Sequence, residues 1–416
     1  MPGSTEVAIV GAGIAGISAA WFLQQAGIRV SVFEKGIVAG EQSSRNWGWC
    51  RQQGRDQAEL PIVMESLRRW QEIADQLETD IGFRREGSLY LCENDTEMAR
   101  HDHFMAFASD YGLQTLRLNR AELEKLVVDC PPRWQSALFT PDDARAEPSL
   151  AVPAMAAALR ARGADVIENC AVQRIATENR RVSGVVTEHG EISCSTVLVA
   201  AGAWSTFLLR DCGIRLPQLT VKASVARTAE APLIFNGNAS GSQVAFRRRL
   251  DGGYTVASTD YLEVFPGIGH LSYLREFLPL VKTSLGKLKL RVPELQVDGN
   301  YTRQRVLNPV PTAKTVARIR ARLSDRVPSL RGIELVETWS GMIDALPDVV
   351  PVLDRADSID GLWISTGFSG HGFGIGPGAG RVMADLIQNK TVEHDLGRFR
   401  LARFSDGSRL ELGPAI

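Results

Sequence analysis

The chain has 416 residues, 44% hydrophobic and 23% charged, a globular balance that excludes disorder as its main state and suits two domains. Lys plus Arg number 47 and Asp plus Glu 48, a net charge of −1, so the broad basic excess of a nucleic-acid binder is absent. Six cysteines, at 50, 92, 130, 170, 194 and 212, show neither CxxC spacing nor a histidine partner, which predicts reduced thiols in a cytoplasmic protein and no metal site.

The opening reads as strand, turn, helix, strand. Residues 7–28 carry no charge and are long enough to span a bilayer, but Gly11, Gly13 and Gly16 break the run and favour a strand, Val7–Val10, and a helix, Ile17–Ala26. Arg29–Phe33 then completes a parallel βαβ start. The turn is Gly11-Ala12-Gly13-Ile14-Ala15-Gly16. Gly11 allows the tight turn, Gly13 lets a pyrophosphate approach, and Gly16 lets the helix pack on the strand. The helix start offers unpaired N–H groups. Glu34, at the end of the second strand, is placed to accept from a ribose hydroxyl. In this context the motif predicts dinucleotide binding. Gln42, Ser43 and Ser44 follow in a Gly40–Gly48 loop, where hydroxyls and amides suit phosphate and ribityl contacts.

Residues 61–79 carry Leu67, Trp70, Ile73 and Leu77 at helical spacing, and Ser88–Cys92 reads as a strand. A helix over Pro153–Ala161 leads into strands near Asp165–Asn169, Val172–Thr177, Val182–Glu188 and Thr196–Ala201. From Leu216 to about residue 335 antiparallel strands are expected, among them Gln243–Arg249 and Gly253–Ser258 around a turn at Leu250–Gly252. Within this span, 263–292 is apolar and then basic, a composition that fits a helix packed on a sheet or a peripheral membrane contact. The last part reads as a strand, Leu362–Ser365, a glycine loop, Gly367–Gly380, and a helix, Arg381–Asn389. The glycine cluster brings backbone N–H groups close to a ligand. These patterns divide the chain into a nucleotide-type unit (1–79, 142–215 and 336–416) and an inserted unit (80–141 and 216–335).

Together the motifs resemble the D-amino-acid oxidase type of FAD-dependent oxidoreductase. The likeness is carried by the GxGxxG turn, Glu34-Lys35, Ser43-Ser44, Ala200-Ala201-Gly202-Ala203-Trp204, Trp339-Ser340-Gly341, Pro347-Asp348 and Gly370-His371-Gly372-Phe373. A finer likeness is to the bacterial L-amino-acid deaminases, in Ala39–Arg45, Val185–Glu188, Ala201–Ser205, Phe246-Arg247 and Trp339–Gly341. Those enzymes carry an N-terminal membrane anchor, expected to be absent here because the first strand begins by residue 7. The resemblance implies an α/β fold: an FAD-binding Rossmann-like domain of the glutathione-reductase type with an interleaved antiparallel-sheet α+β substrate domain. It implies non-covalent FAD, since residues 331–416 lack the cysteine that tethers the flavin in some sarcosine oxidases. Beyond the residues of the GxGxxG turn it implies FAD contacts at Glu34, Lys35, Gln42, Ser43, Ser44, Gly48, Val172, Ala201, Gly202, Trp204, Gly341, Gly370, Gly372 and Phe373.

The chemistry it implies is removal of a hydride from Cα of an amino acid to flavin N5, leaving an imine that hydrolyses to a 2-oxo acid and ammonia. The substrate carboxylate calls for a guanidinium. Arg247 is the first expectation, from the likeness to the deaminases, and Arg51, just after the paired serines, is the alternative. Met342 stands where D-amino-acid oxidases have an arginine. Asp344 is expected to pair with a basic side chain, predicting a preference for basic or long polar L-amino acids. His371 is expected to donate to the flavin or hold a water. A D-amino-acid or N-alkyl-amino-acid dehydrogenase, and an FAD-binding subunit of a larger redox complex, stay open. So do O2 or a quinone-type carrier as electron acceptor, a peripheral position at the inner membrane, and the oligomeric state.

Overall fold

In the computed structural model, which describes residues 1–264, 273–284, 288–290 and 302–413, the uncharged opening run is the strand Val7–Val10 and the helix Ile14–Gln25. All four strand residues are buried, as a central parallel strand requires. Thr196–Val199 and Val30–Phe33 flank it in parallel, with Ile9 opposite Leu198 and Val32. The sheet runs in the order Val352–Arg355, Leu362–Thr366, Thr196–Val199, Val7–Val10, Val30–Phe33, Asp165–Ile167, and only the Val352–Arg355 edge is antiparallel. Helices Ile14–Gln25, Leu60–Gln76, Pro148–Ala161 and Gly372–Ile387 share a core with Ile9, Val32 and Leu198. A small antiparallel sheet, Val172–Glu178, Arg181–Thr187 and Gly190–Ser193, packs with Ala8, Val10 and Val197 on the other face.

Three helices begin earlier than their patterns suggest, the first by three residues, at Ile14, and two others by more. Pro148 occupies the first turn of its helix, where a fixed φ is favourable and the missing N–H has no helical partner to lose. The stretch Gly367–Gly380, expected as a loop, is helical from Gly372. Its glycines serve contact rather than turning. A Cβ at Gly376 would lie 2.3 Å from Ile14 Cγ1, one at Gly378 2.4 Å from the Ile62 carbonyl oxygen, and one at Gly380 2.5 Å from the Ser18 backbone. Ser66 Oγ donates to the Gly374 carbonyl at 2.7 Å and accepts from Gly378 N at 3.1 Å. Packing thus overrides the helix-breaking tendency of glycine.

Among the described residues the second sheet has ten strands and is mixed. Its middle contains Leu219–Thr228, Tyr254–Ala257, Ala245–Arg248 and Asn238–Ser240, and Ser88–Cys92, Ser136–Thr140 and Leu116–Asn119 continue it to one edge. Leu335–Ala345, mostly assigned by sequence to the nucleotide-type unit, instead pairs antiparallel along the whole of Leu219–Thr228. Its polar Glu337, Thr338 and Ser340 suit this sheet better than a doubly buried parallel one. The expected run of strands is also interrupted by a helix, Ala313–Arg326, capped by Thr312 Oγ1, which accepts from Thr315 N at 3.1 Å. Ile319 and Leu323 turn into the sheet core. Of the 263–292 stretch, the helix Leu274–Ser284 buries Phe277 and Leu280 against Val221, Ala345 and Val349. Residues 265–272, 285–287 and 291–292 lie outside the described residues. Among the described residues no helix is long and apolar enough to cross a membrane.

Gly380→Ala tests the close helix crossing. Propensity alone favours alanine by about 1 kcal/mol. Overpacking against the Ser18 and Ala19 backbone is nevertheless expected to cost about 1–3 kcal/mol, read as a lower midpoint in urea denaturation.

Candidate active site

A cavity of about 600 Å³ is lined by both sheets, with Gly11, Gly13, Glu34 and Val172 from the nucleotide side and Tyr90, Ala223, Val225 and Ser240 from the second sheet. Gly11 has φ +106°, and a Cβ there would meet the Ala200 carbonyl oxygen at 2.5 Å. A Cβ at Gly16 would lie 2.0 Å from the Gly11 carbonyl oxygen, so Gly16 sets the packing of the turn and does not itself line the cavity. Ser43 Oγ accepts from Ile14 N at 2.9 Å. Glu34 accepts from Ala12 N and Gly36 N, both at 2.9 Å. Burial pushes its pKa up against the pull of those two N–H groups. Each oxygen keeps acceptor capacity for a hydroxyl.

Ala15, Ala201, Gly202, Trp204, Gly341, Gly370, Gly372 and Phe373 all line the cavity. Lys35 does as well, but its Nζ is held by Glu41 Oε1 at 2.6 Å and the Gln304 carbonyl at 2.7 Å, over the Trp204 ring. Glu41, not singled out from sequence, also accepts from Trp204 Nε1 and Leu307 N, each at 2.9 Å. Gln42 Oε1 accepts from Asp344 N at 3.3 Å. Ser44 and Gly48 are not in the cavity wall. Ser44 Oγ donates to the Glu41 carbonyl, and Gly48 backs onto Arg247, where a Cβ would lie 2.9 Å from Nε.

Two expected substrate partners are occupied elsewhere. Arg247 is 1% exposed, lies behind the wall, and has all five N–H groups engaged. Nη1 and Nη2 pair with Glu147 Oε1 and Oε2 at 2.9 Å each, Nε donates to the Trp47 carbonyl at 2.6 Å, and the remaining two reach the Arg248 carbonyl and Thr255 Oγ1. It is a strut, not a free carboxylate partner. Asp344 borders the cavity, but its Oδ2 accepts from Gly367 N at 2.9 Å and Gln218 Nε2 at 3.4 Å. Burial pushes its pKa up to about 6. It closes the glycine loop instead of standing free for a basic side chain.

Arg51 does reach the cavity. Its Nη1 donates to the Gln53 carbonyl and to Tyr90 Oη, and the guanidinium lies 5.7 Å from the Trp49 ring and 5.6 Å from the Tyr90 ring. Beside it is Arg55, 8% exposed, with Nη1 lacking any hydrogen-bond partner. Burial, then the charge on Arg51, lowers its pKa to about 10. Glu59, at the start of helix Leu60–Gln76, is fully buried with neither oxygen hydrogen-bonded, and Oε2 is 3.5 Å from His371 Nδ1. His371 lines the cavity, and burial followed by the Arg55 charge lowers its pKa to about 4, so the ring is neutral near pH 7. No local sequence signal marks this group: Arg51, Arg55 and Glu59 precede the helix in irregular backbone, where four-residue spacing does not place side chains on one face. Among the described residues, no three His, Cys, Asp or Glu side chains are grouped to hold a metal.

A parallel nucleotide sheet with a glycine turn, an acidic second-strand end and a second sheet over the remaining cavity defines a dinucleotide-dependent oxidoreductase. The family described as FAD dependent oxidoreductase matches residues 6–386, and the chain belongs to it. Human mitochondrial sarcosine dehydrogenase is 23% identical over 97% of this chain and 42% of its own length, so the chain spans about two fifths of that relative. Glycine oxidase of Pseudomonas aeruginosa is 24% identical over 93% of this chain and 96% of the relative. The structure of L-amino acid deaminase from Proteus myxofaciens in complex with anthranilate superposes with a TM-score of 0.92 at 25% identity, covering 97% of this chain and 94% of that one. FAD is therefore the cofactor. The residues fit it: the Gly11–Gly16 cradle leaves no room for a Cβ at Gly11 or Gly16, Glu34 keeps free lone pairs, and the starts of helices Ile14–Gln25 and Gly372–Ile387 both border the cavity.

The Arg247–Glu147 pair generates a test. The Glu147 carboxyl is affected first by burial, which raises its pKa, but Arg247 outweighs that and depresses it from 4.5 to about 2. A depressed carboxylate contributes stability above about pH 4.5 that is lost as the pH falls towards 2. Glu147→Gln leaves a buried guanidinium uncompensated and is expected to cost about 3–5 kcal/mol at pH 7. The gap to wild type should narrow as denaturation is repeated from pH 5 down to pH 2.

Proposed function

We propose that this chain oxidises L-α-amino acids to imines, which water converts to 2-oxo acids and ammonia. The observation that carries this is the pairing of two guanidinium side chains, Arg51 and the nearly buried Arg55, on the cavity wall, with Arg55 Nη1 enclosed and unpaired. A buried cation with unmet donors calls for an anion, and the planar fork of arginine suits a carboxylate. The L configuration and the free amino group are supported by the likeness to the deaminase.

FAD, when bound, supplies the two-electron acceptor that takes the hydride from Cα as the amine loses a proton. The chain's own residues bind and orient. Arg51 and Arg55 take the carboxylate, each charge-assisted bond contributing roughly 1.5–3 kcal/mol. Trp47, Trp49, Ile343 and Phe373 line the wall with apolar surface that keeps water from the reacting carbon. Tyr90, Ser240, Ser242 and Thr259 leave polar surface for a long polar side chain. The preference for basic side chains loses its support, because Asp344 is tied to Gly367. Electrons then pass to O2 or a quinone-type carrier. A second reading, oxidation of an N-alkyl amino acid, is favoured by the sarcosine dehydrogenase likeness.

The test is anaerobic bleaching of the FAD-loaded protein by a panel of L-, D- and N-methyl amino acids. Rapid bleaching is expected with L-amino acids. Arg55→Gln should raise KM by roughly ten- to a hundredfold with a smaller change in kcat. Bleaching only by N-methyl compounds would select the second reading, and none at all would end both.

A further inference from the structure

We propose that Glu59 is a positioning residue that makes His371 the acceptor for the substrate's amino group; this rests on the amino-acid reading above. Glu59 has no exposed side-chain surface, and no hydrogen bond of good geometry reaches either of its oxygens. An ionised carboxylate in that position is expensive unless its charge is used. Two features favour the charge: the start of helix Leu60–Gln76, at which Glu59 is the capping residue, and the nearby Arg55 guanidinium. What it faces is His371 Nδ1, 3.5 Å away, which is also buried and has no other partner.

A carboxylate only accepts. The single proton of a neutral imidazole opposite it therefore sits on Nδ1, and Nε2 is left with a lone pair. His371 lines the cavity beside Arg51 and Arg55. Those two guanidiniums are donors without acceptor capacity. An α-amino acid carries its carboxylate and amino group on the same carbon, so a carboxylate on the guanidiniums brings its N–H groups alongside, where they need an acceptor. Nε2 supplies it. In this arrangement His371 touches substrate, and Glu59 acts only through His371, by fixing which nitrogen carries the proton. The expectation that His371 donates to the flavin is replaced by the opposite polarity.

The test uses the FAD-loaded full chain and two ligands that have no Cα–H to lose, anthranilate and benzoate, titrated by flavin absorbance. Benzoate reports the guanidiniums alone, and anthranilate adds an amine beside the carboxylate. Wild type is expected to prefer anthranilate by about tenfold. Glu59→Leu, which also removes a charge near Arg55 and so shifts both ligands together, should reduce that preference to within twofold. ¹⁵N NMR of histidine-labelled wild type, with His371 assigned through His371→Asn, should show Nδ1–H, a result that does not depend on the variant folding. A proton on Nε2, equal loss of both ligands in Glu59→Leu, or a shift in FAD affinity with the amine preference intact overturns the inference alone. Failure of benzoate to bind wild type overturns the amino-acid reading, and the inference with it.

Discussion

The site depends on three helices that touch at backbone distance. Gly376, Gly378 and Gly380 remove the side chains that would hold Gly372–Ile387 away from Ile14–Gln25 and Leu60–Gln76. Ser66 and Trp70 then bond into the crossing, through the Gly374 carbonyl at 2.7 Å and the Phe373 carbonyl at 3.2 Å. Two of the three helices start at the cavity and the third starts behind its wall. One starts at Gly13, one at Glu59 behind Arg55, and one at His371. Helix starts carry partial positive charge, so their convergence favours an anionic cofactor and an anionic substrate end. The same crossing sets the distance between Glu59 and His371, which lie on different helices more than three hundred residues apart in sequence.

A second constraint locks the other sheet to this arrangement. The fork of Arg247 joins the hairpin Ala245–Arg248 and Tyr254–Ala257 to Glu147, at the start of helix Pro148–Ala161, and to the Trp47 carbonyl in the paired-serine segment. A buried ion pair adds little net stability compared with well-packed apolar residues, but it penalises any docking that separates its members. Its value here is register. Gly48 is part of the same joint, because a side chain there would displace the guanidinium. Glu41 works similarly at lower burial, tying Lys35, Trp204 and the Leu307 backbone together near the cavity.

What was legible in the sequence follows from how local each requirement is. The Gly11–Gly16 turn and Glu34 are specified by backbone geometry within about twenty-five residues, so strand, turn and acid could be read directly. The glycines of 372–380 carry the opposite meaning from the one propensity suggests, because their role depends on Ile14, Ser18 and Ile62, remote in sequence. The likeness to the deaminases makes Arg247 a carboxylate ligand, and nothing near it in sequence shows its partner, Glu147, a hundred residues away. An arginine with five satisfied N–H groups cannot be told from one with none by inspecting its neighbours in sequence. Arg55 is the converse, visible only as an orphan once the fold has buried it. Leu335–Ala345 falls mostly in the nucleotide-type unit by its place in the chain, and its pairing with Leu219–Thr228 is long-range, so no local pattern shows it.

The two halves of the cavity therefore differ in how freely they can change. On the nucleotide side, Gly11, Gly16, Gly376 and Gly380 are fixed by contacts of 2.5 Å or less that a Cβ would make; substitution at the first two disturbs the glycine turn, and at the last two the helix crossing that starts from His371. Tyr90, Ser240, Ser242 and Thr259 reach the cavity from the second sheet and its loops. Their side chains can be exchanged without touching that crossing. On the proposed reading, selection of the amino-acid side chain falls to the second sheet, while the carboxylate and amine fall to Arg51, Arg55 and His371 on the nucleotide side.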